Sequence, residues 1–332
     1  MGIFSSPVAY YIIADLQEPH RWRVANIPAA ESIEFDTHRQ AGMRGLSRPH
    51  FNVMICLACI GFTMASPAKS AKYGGEHDST VVIPAGNHSL SGRLVINAGG
   101  RLLVQPGANI SFRQRASVII QDGATLQADS ALFFSEKRGR NRNGGGFIVT
   151  GADAVARFVN CRFFDLGGRW QNWPGKTDTA QALLVKEGAL AVLVGTKFRG
   201  ESDTDDMLKV MSGSTLSLDQ VHVESTNHGS ALFAEGPGTQ VEIRNSILET
   251  GVSETQNHCV EVTNGAVVHF LGRRNQVINS KQARIRQWNT GLIKCRNVWW
   301  GAYPINNTRH LGPYDDESCV EWEPALSEPP KK

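Results

Sequence analysis

Several signatures that define common protein classes are missing from this chain of 332 residues. It has no zinc-ligand spacing, no phosphate-binding glycine loop, no nucleophile elbow and no dinucleotide fingerprint. Its leader-like apolar run, Phe51 to Met64, is too short for a membrane-spanning helix. The formal net charge of +3 is too small to indicate a nucleic-acid partner. The sequence therefore predicts neither a nucleotide-dependent enzyme, nor a helical membrane protein, nor a nucleic-acid-binding protein.

Helical periodicity is also absent from the body of the chain, and a constant β-strand repeat takes its place. Short apolar strands occur in pairs, and a glycine turn joins the two strands of each pair. The turn glycines Gly188, Gly213, Gly238 and Gly265 follow one another at intervals of 25, 25 and 27 residues. Earlier in the chain, two such glycines are 23 residues apart. A β-sandwich also has short strands, but it would not hold so constant an interval.

A bend follows the second strand of each pair, at Asn160, Gly195 and Asn245 in three of the units. Asparagine and glycine both tolerate left-handed backbone. One unit cannot bury its apolar side alone, whereas stacked units form a continuous interior of Val, Leu and Ile. We therefore predict an all-β fold, namely a single-stranded right-handed parallel β-helix with coils of about 23–27 residues.

The chain from residue 43 to residue 71 has the layout of a secretory signal peptide. Arg44 and Arg48 form its basic start, the apolar run follows, and Ala65 and Ala68 offer cleavage points. We therefore expect a secreted or periplasmic protein without a transmembrane span.

Residues 1–42 show no repeat signal and precede the better start at Met43. We interpret them as a non-native or disordered extension that comes from a wrongly assigned start codon. The β-helix domain is then expected over residues 72–332, with regular coils from about Val81.

Two of the six cysteines belong to the leader, so four remain for the exported protein. Cys295 and Cys319 lie close together near the C-terminus, and we predict a disulfide between them. Cys161 and Cys259 lie about four coils apart. At ~4.8 Å between stacked strands, that distance is near 19 Å and beyond disulfide reach. We expect these two to be small core residues.

The C-terminal segment Asn297-Val-Trp299-Trp300-Gly301, with the tail Val320 to Leu326, resembles the closing segment of bacterial right-handed parallel β-helix repeat proteins. The early coil Val104 to Phe112 resembles the same group. The resemblance covers Val81 to Pro324 and implies membership of the pectin-lyase-like superfamily, with a cap from about residue 297. That superfamily includes pectate lyases, polygalacturonases and proteins without an assigned activity, so the fold narrows the substrate class only by analogy.

Alignment of the coils predicts which side chains point outward. Apolar residues in three successive strands are expected to point inward, namely Leu208 and Val210, Leu232 and Ala234, and Val260 and Val262. Strand alternation then places Lys209, Phe233 and Glu261 on the outside.

Polar residues precede these three strands, at Asp206, Ser230 and His258. With coils ~4.8 Å apart, they span roughly 10 Å, which is the scale of a sugar-binding cleft. We predict that Lys209, Glu261 and His258 bind a substrate there.

One interpretation of this region is glycoside hydrolysis. The pair Asp205-Asp206, followed by Asn227-His228-Gly229, is similar to the polygalacturonase pattern of an Asp-Asp pair before a Gly-His-Gly. The resemblance implies Asp205, Asp206 and His228 as catalytic residues, with one carboxyl protonating the leaving oxygen and another activating water. Asn227 departs from the pattern, because the family has glycine there.

A second interpretation is β-elimination of a uronate. It needs a base, for which Lys209 is the candidate, and calcium to hold the substrate carboxylate. Asp203, Asp205 and Asp206 are the candidate calcium ligands.

A third interpretation involves no catalysis, only an envelope or secreted protein that binds glycan or forms a surface. Arg169, Trp170 and Trp173 lie in one loop, where aromatic rings can stack on sugars and arginine can bind an acidic substituent. The same tryptophans can instead pack over the side of the solenoid. We expect a monomer whose partner is an acidic polysaccharide or envelope glycan, with catalysis left open.

Overall fold

Each strand of this chain pairs with the equivalent strand of the next coil rather than with its neighbour in sequence. The computed structural model describes residues 72–113, 116–136, 145–167, 181–200, 206–225, 229–250, 258–279, 285–288, 290–300, 320–321, 326 and 329–330. All of them belong to one unit, Met64–Lys332.

The strands are short throughout, apart from β3. The first thirteen are β1 (Lys72–His77), β2 (Thr80–Ile83), β3 (Gly86–Ile96), β4 (Arg101–Val104), β5 (Ala108–Phe112), β6 (Ser117–Ile120), β7 (Thr125–Asp129), β8 (Leu132–Ser135), β9 (Phe147–Thr150), β10 (Val155–Val159), β11 (Arg162–Phe164), β12 (Leu183–Lys186) and β13 (Leu190–Val194). The second thirteen are β14 (Lys197–Gly200), β15 (Leu208–Met211), β16 (Thr215–Asp219), β17 (His222–Ser225), β18 (Leu232–Glu235), β19 (Gln240–Arg244), β20 (Ile247–Thr250), β21 (Val260–Thr263), β22 (Val267–Leu271), β23 (Gln276–Asn279), β24 (Ile285–Trp288), β25 (Leu292–Lys294) and β26 (Val320–Glu321).

The strands stack into three faces, and every pairing between them is parallel. The first face is a sheet of ten strands in the order β2-β4-β7-β10-β13-β16-β19-β22-β25-β26. The second face (β5-β8-β11-β14-β17-β20-β23) and the third face (β6-β9-β12-β15-β18-β21-β24) form one sheet, because β3 pairs with β5 through its first half and with β6 through its second.

This arrangement is a parallel β-solenoid of about 7 turns, which confirms the predicted fold. Crossovers between parallel strands are right-handed in about 98% of cases, which is the sense we expect here. Within the described part of the chain there is no helix long and apolar enough to cross a bilayer.

The two kinds of turn lie where the sequence predicts them. At the bend between the first and second faces, Asn160 has a φ of 53° and Asn245 a φ of 50°. At the turn between the third and first faces, Gly188 has a φ of 83°. Adjacent bends are joined by side chains, since Asn245 Nδ2 donates a hydrogen bond of 2.9 Å to Asp219 Oδ1 in the coil before. The Asn and Gly positions of the repeat are therefore set by left-handed backbone.

The interior contains a stack of phenylalanine rings in addition to the expected Val, Leu and Ile. The rings of Phe163 and Phe198, on adjacent coils, are stacked with centroids 4.3 Å apart. Phe158 is fully buried and meets Phe133, Phe147 and Phe163 edge to face, at 5.1 to 6.1 Å. Such aromatic pairs add to the stabilisation that burial of their area provides.

The cysteines behave as core residues where they are described. Burial raises the pKa of the Cys161 thiol to about 11. Cys259 is also buried, and its Sγ donates a 2.9 Å hydrogen bond to the Ile278 carbonyl. Both findings agree with the prediction for these two residues. Cys295 is buried as well, but Cys319 lies outside the described residues, so the disulfide stays a prediction.

Near the C-terminus, Trp299 extends the second face by one position. It forms parallel bridges with Gln276 on one side and with Leu326 on the other. Trp300 is 1% exposed and belongs to the core. Both tryptophans thus contribute to packing at this end of the solenoid.

We predict that Phe158→Ala lowers the free energy of unfolding by about 3–5 kcal/mol, because it leaves a cavity among three aromatic rings. Urea unfolding followed by circular dichroism measures the change. Arg157→Ala is the matched control, since Arg157 is the exposed neighbour on the same strand, and its effect should stay within about 0.5 kcal/mol. Equal losses in the two variants would contradict the assignment of Phe158 to the core.

Candidate functional site

The connections between the second and third faces differ from the others because their lengths vary. They range from four residues between β5 and β6 to eighteen between β11 and β12. All of them meet at one corner of the solenoid, since they join the same two faces. Loops on a rigid scaffold carry a disproportionate share of binding and catalytic residues. This corner, with the outer side of the third face beside it, is therefore the candidate site.

A ladder of polar residues runs along the corner, one in each of four successive coils. Gln181, Asp206, Ser230 and His258 each stand two residues before a strand of the third face, and those strands are paired in register. Their exposures are only 6%, 8%, 3% and 7%. The expected alignment of Asp206, Ser230 and His258 is thus observed. Gln181 was missed, although counting back from Leu183 would have found it.

Ser230 holds two carboxylates from different coils. Its backbone N–H donates a hydrogen bond of 2.9 Å to Asp206 Oδ1, in the coil before. Its hydroxyl donates one of 3.2 Å to Glu261 Oε2, in the coil after. Hydrogen bonds to ionised acceptors are stronger than neutral ones, so the two acids are fixed relative to each other. The sequence pointed to Asp206, Ser230 and Glu261, but not to the hydrogen bonds that join them.

The outward row of the third face changes character along the solenoid. Ile148 and Leu184 occupy it in β9 and β12, and Lys209, Phe233 and Glu261 occupy it in β15, β18 and β21. The charged residues of the row, Lys209 and Glu261, therefore lie beyond its apolar part and beside the ladder, with Phe233 between them.

Lys209 is held in place by an aromatic ring. Its Nζ lies 4.7 Å from the ring centroid of Phe233, which is cation–π distance. The inward neighbours Leu208 and Val210 are fully buried, as predicted, so Lys209 projects from the outer surface. Lys209 thus lies outward on the strand that follows the buried Asp206, and Glu261 lies in the same outward row two strands further on.

Buried side chains of Ser225 and Cys259 make polar contacts close to this corner. The Ser225 hydroxyl, which is buried, donates a hydrogen bond of 3.2 Å to the Gly229 carbonyl. This bond joins the last residue of β17 to the residue that follows His228. Beneath His258, the Cys259 thiol lies 3.4 Å from Thr250 Oγ1.

The other predicted site residues lie outside the described residues, so their roles stay predictions. They are Asp205, His228, Arg169, Trp170 and Trp173. The same holds for Asp203, and with it for the calcium site. Within the described part of the chain, no cluster of three or more His, Cys, Asp or Glu residues has an arrangement suited to a metal ion.

A second polar cluster lies at the same corner in the early coils. Glu136 Oε1 accepts hydrogen bonds from the hydroxyls of Ser89 (3.2 Å) and Ser111 (3.0 Å), and Arg113 Nε lies 3.2 Å from Oε2. Burial acts to raise the pKa of Glu136, but the bonds from Ser111, Arg113 and Ser89 and the Arg113 charge outweigh it and leave the pKa below its ordinary value. One carboxylate thus ties three coils together.

Comparison of the chain with protein-family models, with curated proteins and with solved structures finds no match in any of the three.

We predict that Glu136→Gln lowers the free energy of unfolding at neutral pH, and that the difference fades in acid. The folded pKa is lower than the ordinary 4.5, so the carboxylate stabilises the fold above that value. This stabilisation is lost as the pH falls through the folded pKa. Urea unfolding at a series of pH values measures the effect.

The matched control is Glu242→Gln, because the pair that Glu242 makes with Arg244, at 3.0 Å, has both side chains nearly half exposed. Such a pair contributes little, so this variant should follow the wild-type pH curve closely. A Glu136→Gln difference that persists unchanged into acid would rule out the ionised carboxylate as its source.

Proposed function

We propose that this protein is exported and binds an acidic polysaccharide along the outer side of its third face, beside the corner with the variable connections. The observation that carries the proposal is the fixing of Asp206 and Glu261 by Ser230. The same three coils carry Lys209 and Phe233 in the outward row. Carboxylates accept hydrogen bonds from sugar hydroxyls, and an ammonium group attracts a uronate or a similar substituent.

The length of the site also favours a polymer. Residues of the ladder repeat once per coil, at ~4.8 Å, so they present similar groups at regular steps along an extended ligand. An elongated polymer with a repeating unit fits such a row better than a compact small molecule does. The signal peptide expected at residues 43–71 and the resemblance of the Asn297–Gly301 segment to secreted β-helix proteins support an exported, glycan-directed protein.

Glycoside hydrolysis is the second candidate function, and one feature favours it. Asp206 and Glu261 lie on the coils before and after Ser230, so two carboxylates flank a common point. An inverting hydrolase needs two such groups, one to protonate the leaving oxygen and one to activate water. In this assignment the second catalytic carboxyl is Glu261, whereas the sequence pattern predicted Asp205 and His228 as the catalytic partners of Asp206.

β-Elimination is a weaker candidate. Lys209 would be the base, but its ammonium lies over the Phe233 ring, and deprotonation would forfeit that contact. A purely structural surface protein is the remaining alternative.

For binding, we predict that Lys209→Gln weakens the affinity for oligogalacturonate by tenfold or more, because a charge-assisted contact contributes about 1.5–3 kcal/mol. Isothermal titration calorimetry measures the dissociation constant. Lys294→Gln, which removes the same charge from β25 of the first face, should bind like the wild type. If both variants bind equally well, the third face is not the binding surface.

For turnover, we predict that Asp206→Asn reduces the release of reducing ends from polygalacturonate by a factor of about 10² or more, which is the usual contribution of a general acid or base. The amide oxygen of Asn can still accept from the Ser230 N–H, so the fold should stay intact. Surviving activity would show that the hydrolase site has been assigned wrongly. Ultraviolet absorbance from an unsaturated product would instead favour β-elimination. If the wild type releases no product at all, glycan binding without catalysis is the function that remains.

A further inference from the structure

The outer surface of the second face carries a group of side chains that the candidate site does not use. Phe134 and Phe164 occupy aligned outward positions on the adjacent strands β8 and β11. Their neighbours Phe133 and Phe163 point inward and are 0% and 1% exposed. Two half-buried phenylalanines thus hold neighbouring outward positions on the outside of the solenoid.

Positive charges lie next to these rings. Arg162 begins β11, two positions before Phe164 and therefore on the same side of the strand, and it is aligned with Lys197 of β14. Both are exposed, and neither has an ion-pair partner among the residues that the structure describes. Arg199 is aligned with Phe164 and lies 3.7 Å from Glu224, so its charge is partly matched.

The surface beside these residues is concave. A depression of about 460 Å³ is lined by Leu132, Arg162 and Phe164 together with Asn109 and Asn160. It therefore offers to one ligand an aromatic ring, two amides and a guanidinium that has no ion-pair partner in the described part of the chain. Amides both donate and accept hydrogen bonds, as sugar hydroxyls require.

We propose that Phe134, Phe164, Arg162 and Lys197 form a second binding site, the second-face patch, whose ligand is an acidic polysaccharide. Aromatic faces stack on sugar rings, and the guanidinium fork fits a carboxylate. The coils repeat every ~4.8 Å, close to the repeat of an extended glycan, so successive sugars would meet successive coils. This patch lies on a different face from the site proposed above and does not depend on it.

The pattern of charge sets one limit of the patch. After β14, the outward positions of the second face carry Glu224 in β17 and Glu249 in β20. These carboxylates would repel a polyanion, since like charges in close contact destabilise a complex. The bound chain is therefore confined to the coils of β5, β8, β11 and β14.

The test uses the full chain and oligogalacturonate as the probe, in a Lys209→Gln background that weakens the third-face site. Adding Arg162→Gln and Lys197→Gln should lower the remaining affinity at least tenfold by calorimetry. The matched control adds Arg101→Gln and Arg157→Gln, which remove two exposed charges from the first face, and it should change the affinity less than twofold. Circular dichroism checks that each variant is folded.

Phe164→Leu is a second, independent variant, because it keeps an apolar side chain and removes only the ring; it should weaken binding severalfold. Unchanged affinity in the Arg162/Lys197 variant, or an equal loss in the first-face control, would overturn the proposal. Tighter binding of a single-stranded oligodeoxynucleotide of equal charge would assign the patch to nucleic acid. A dimer in sedimentation that the Arg162/Lys197 change dissolves would assign it to a second copy of the chain. Both results would also overturn the proposal.

Discussion

Parallel pairing between equivalent strands of successive coils is the interaction on which the rest of this structure depends. It links Leu183 to Leu208, Leu208 to Leu232 and Leu232 to Val260, each pair one coil apart. These pairings satisfy the backbone groups of the interior strands, which would otherwise be buried without hydrogen bonds. They also place each side chain over a partner at the same position of the repeat, so buried residues meet buried residues. Stability then comes from nearest-neighbour contacts between coils, as in other solenoids.

The same register creates the candidate site. Once the strands of the third face are aligned, Asp206, Ser230 and His258 must also be aligned, whatever their function. Alignment alone therefore says little about chemistry, since a repeat stacks polar residues as readily as apolar ones. What distinguishes this ladder is the double contact of Ser230, which fixes an acid from the coil on each side. A side chain that only faced solvent would not need such partners.

Charged and apolar outward residues are distributed unevenly over the second and third faces. The third face changes from the apolar Ile148 and Leu184 to a row that carries Lys209 and Glu261, while the second face changes from exposed cations to acids. In both cases the change occurs along the axis of the solenoid, because each coil adds one residue to a given outward row. The two proposed glycan surfaces therefore occupy different faces, one ending at β14 and the other beginning at β15, and the polar clusters of Glu136 and Ser230 lie at the corner between these faces.

The sequence by itself determined the architecture, because every feature of the repeat is local. Left-handed bends at positions such as Asn160 and alternation around Leu208 and Val210 arise within a few residues, and the glycine intervals record how this local unit recurs along the chain. Only the tertiary structure decided which side chains touch. Ser230 and Glu261 are 31 residues apart, and Glu136 and Ser89 are 47 apart. Their contacts depend on where each coil restarts after a connection of variable length, and no local pattern specifies that point. The fold could therefore be predicted from the repeat interval and the residues at the turns. The hydrogen bonds of the acids and the second-face patch could not, because they depend on which coils lie next to each other.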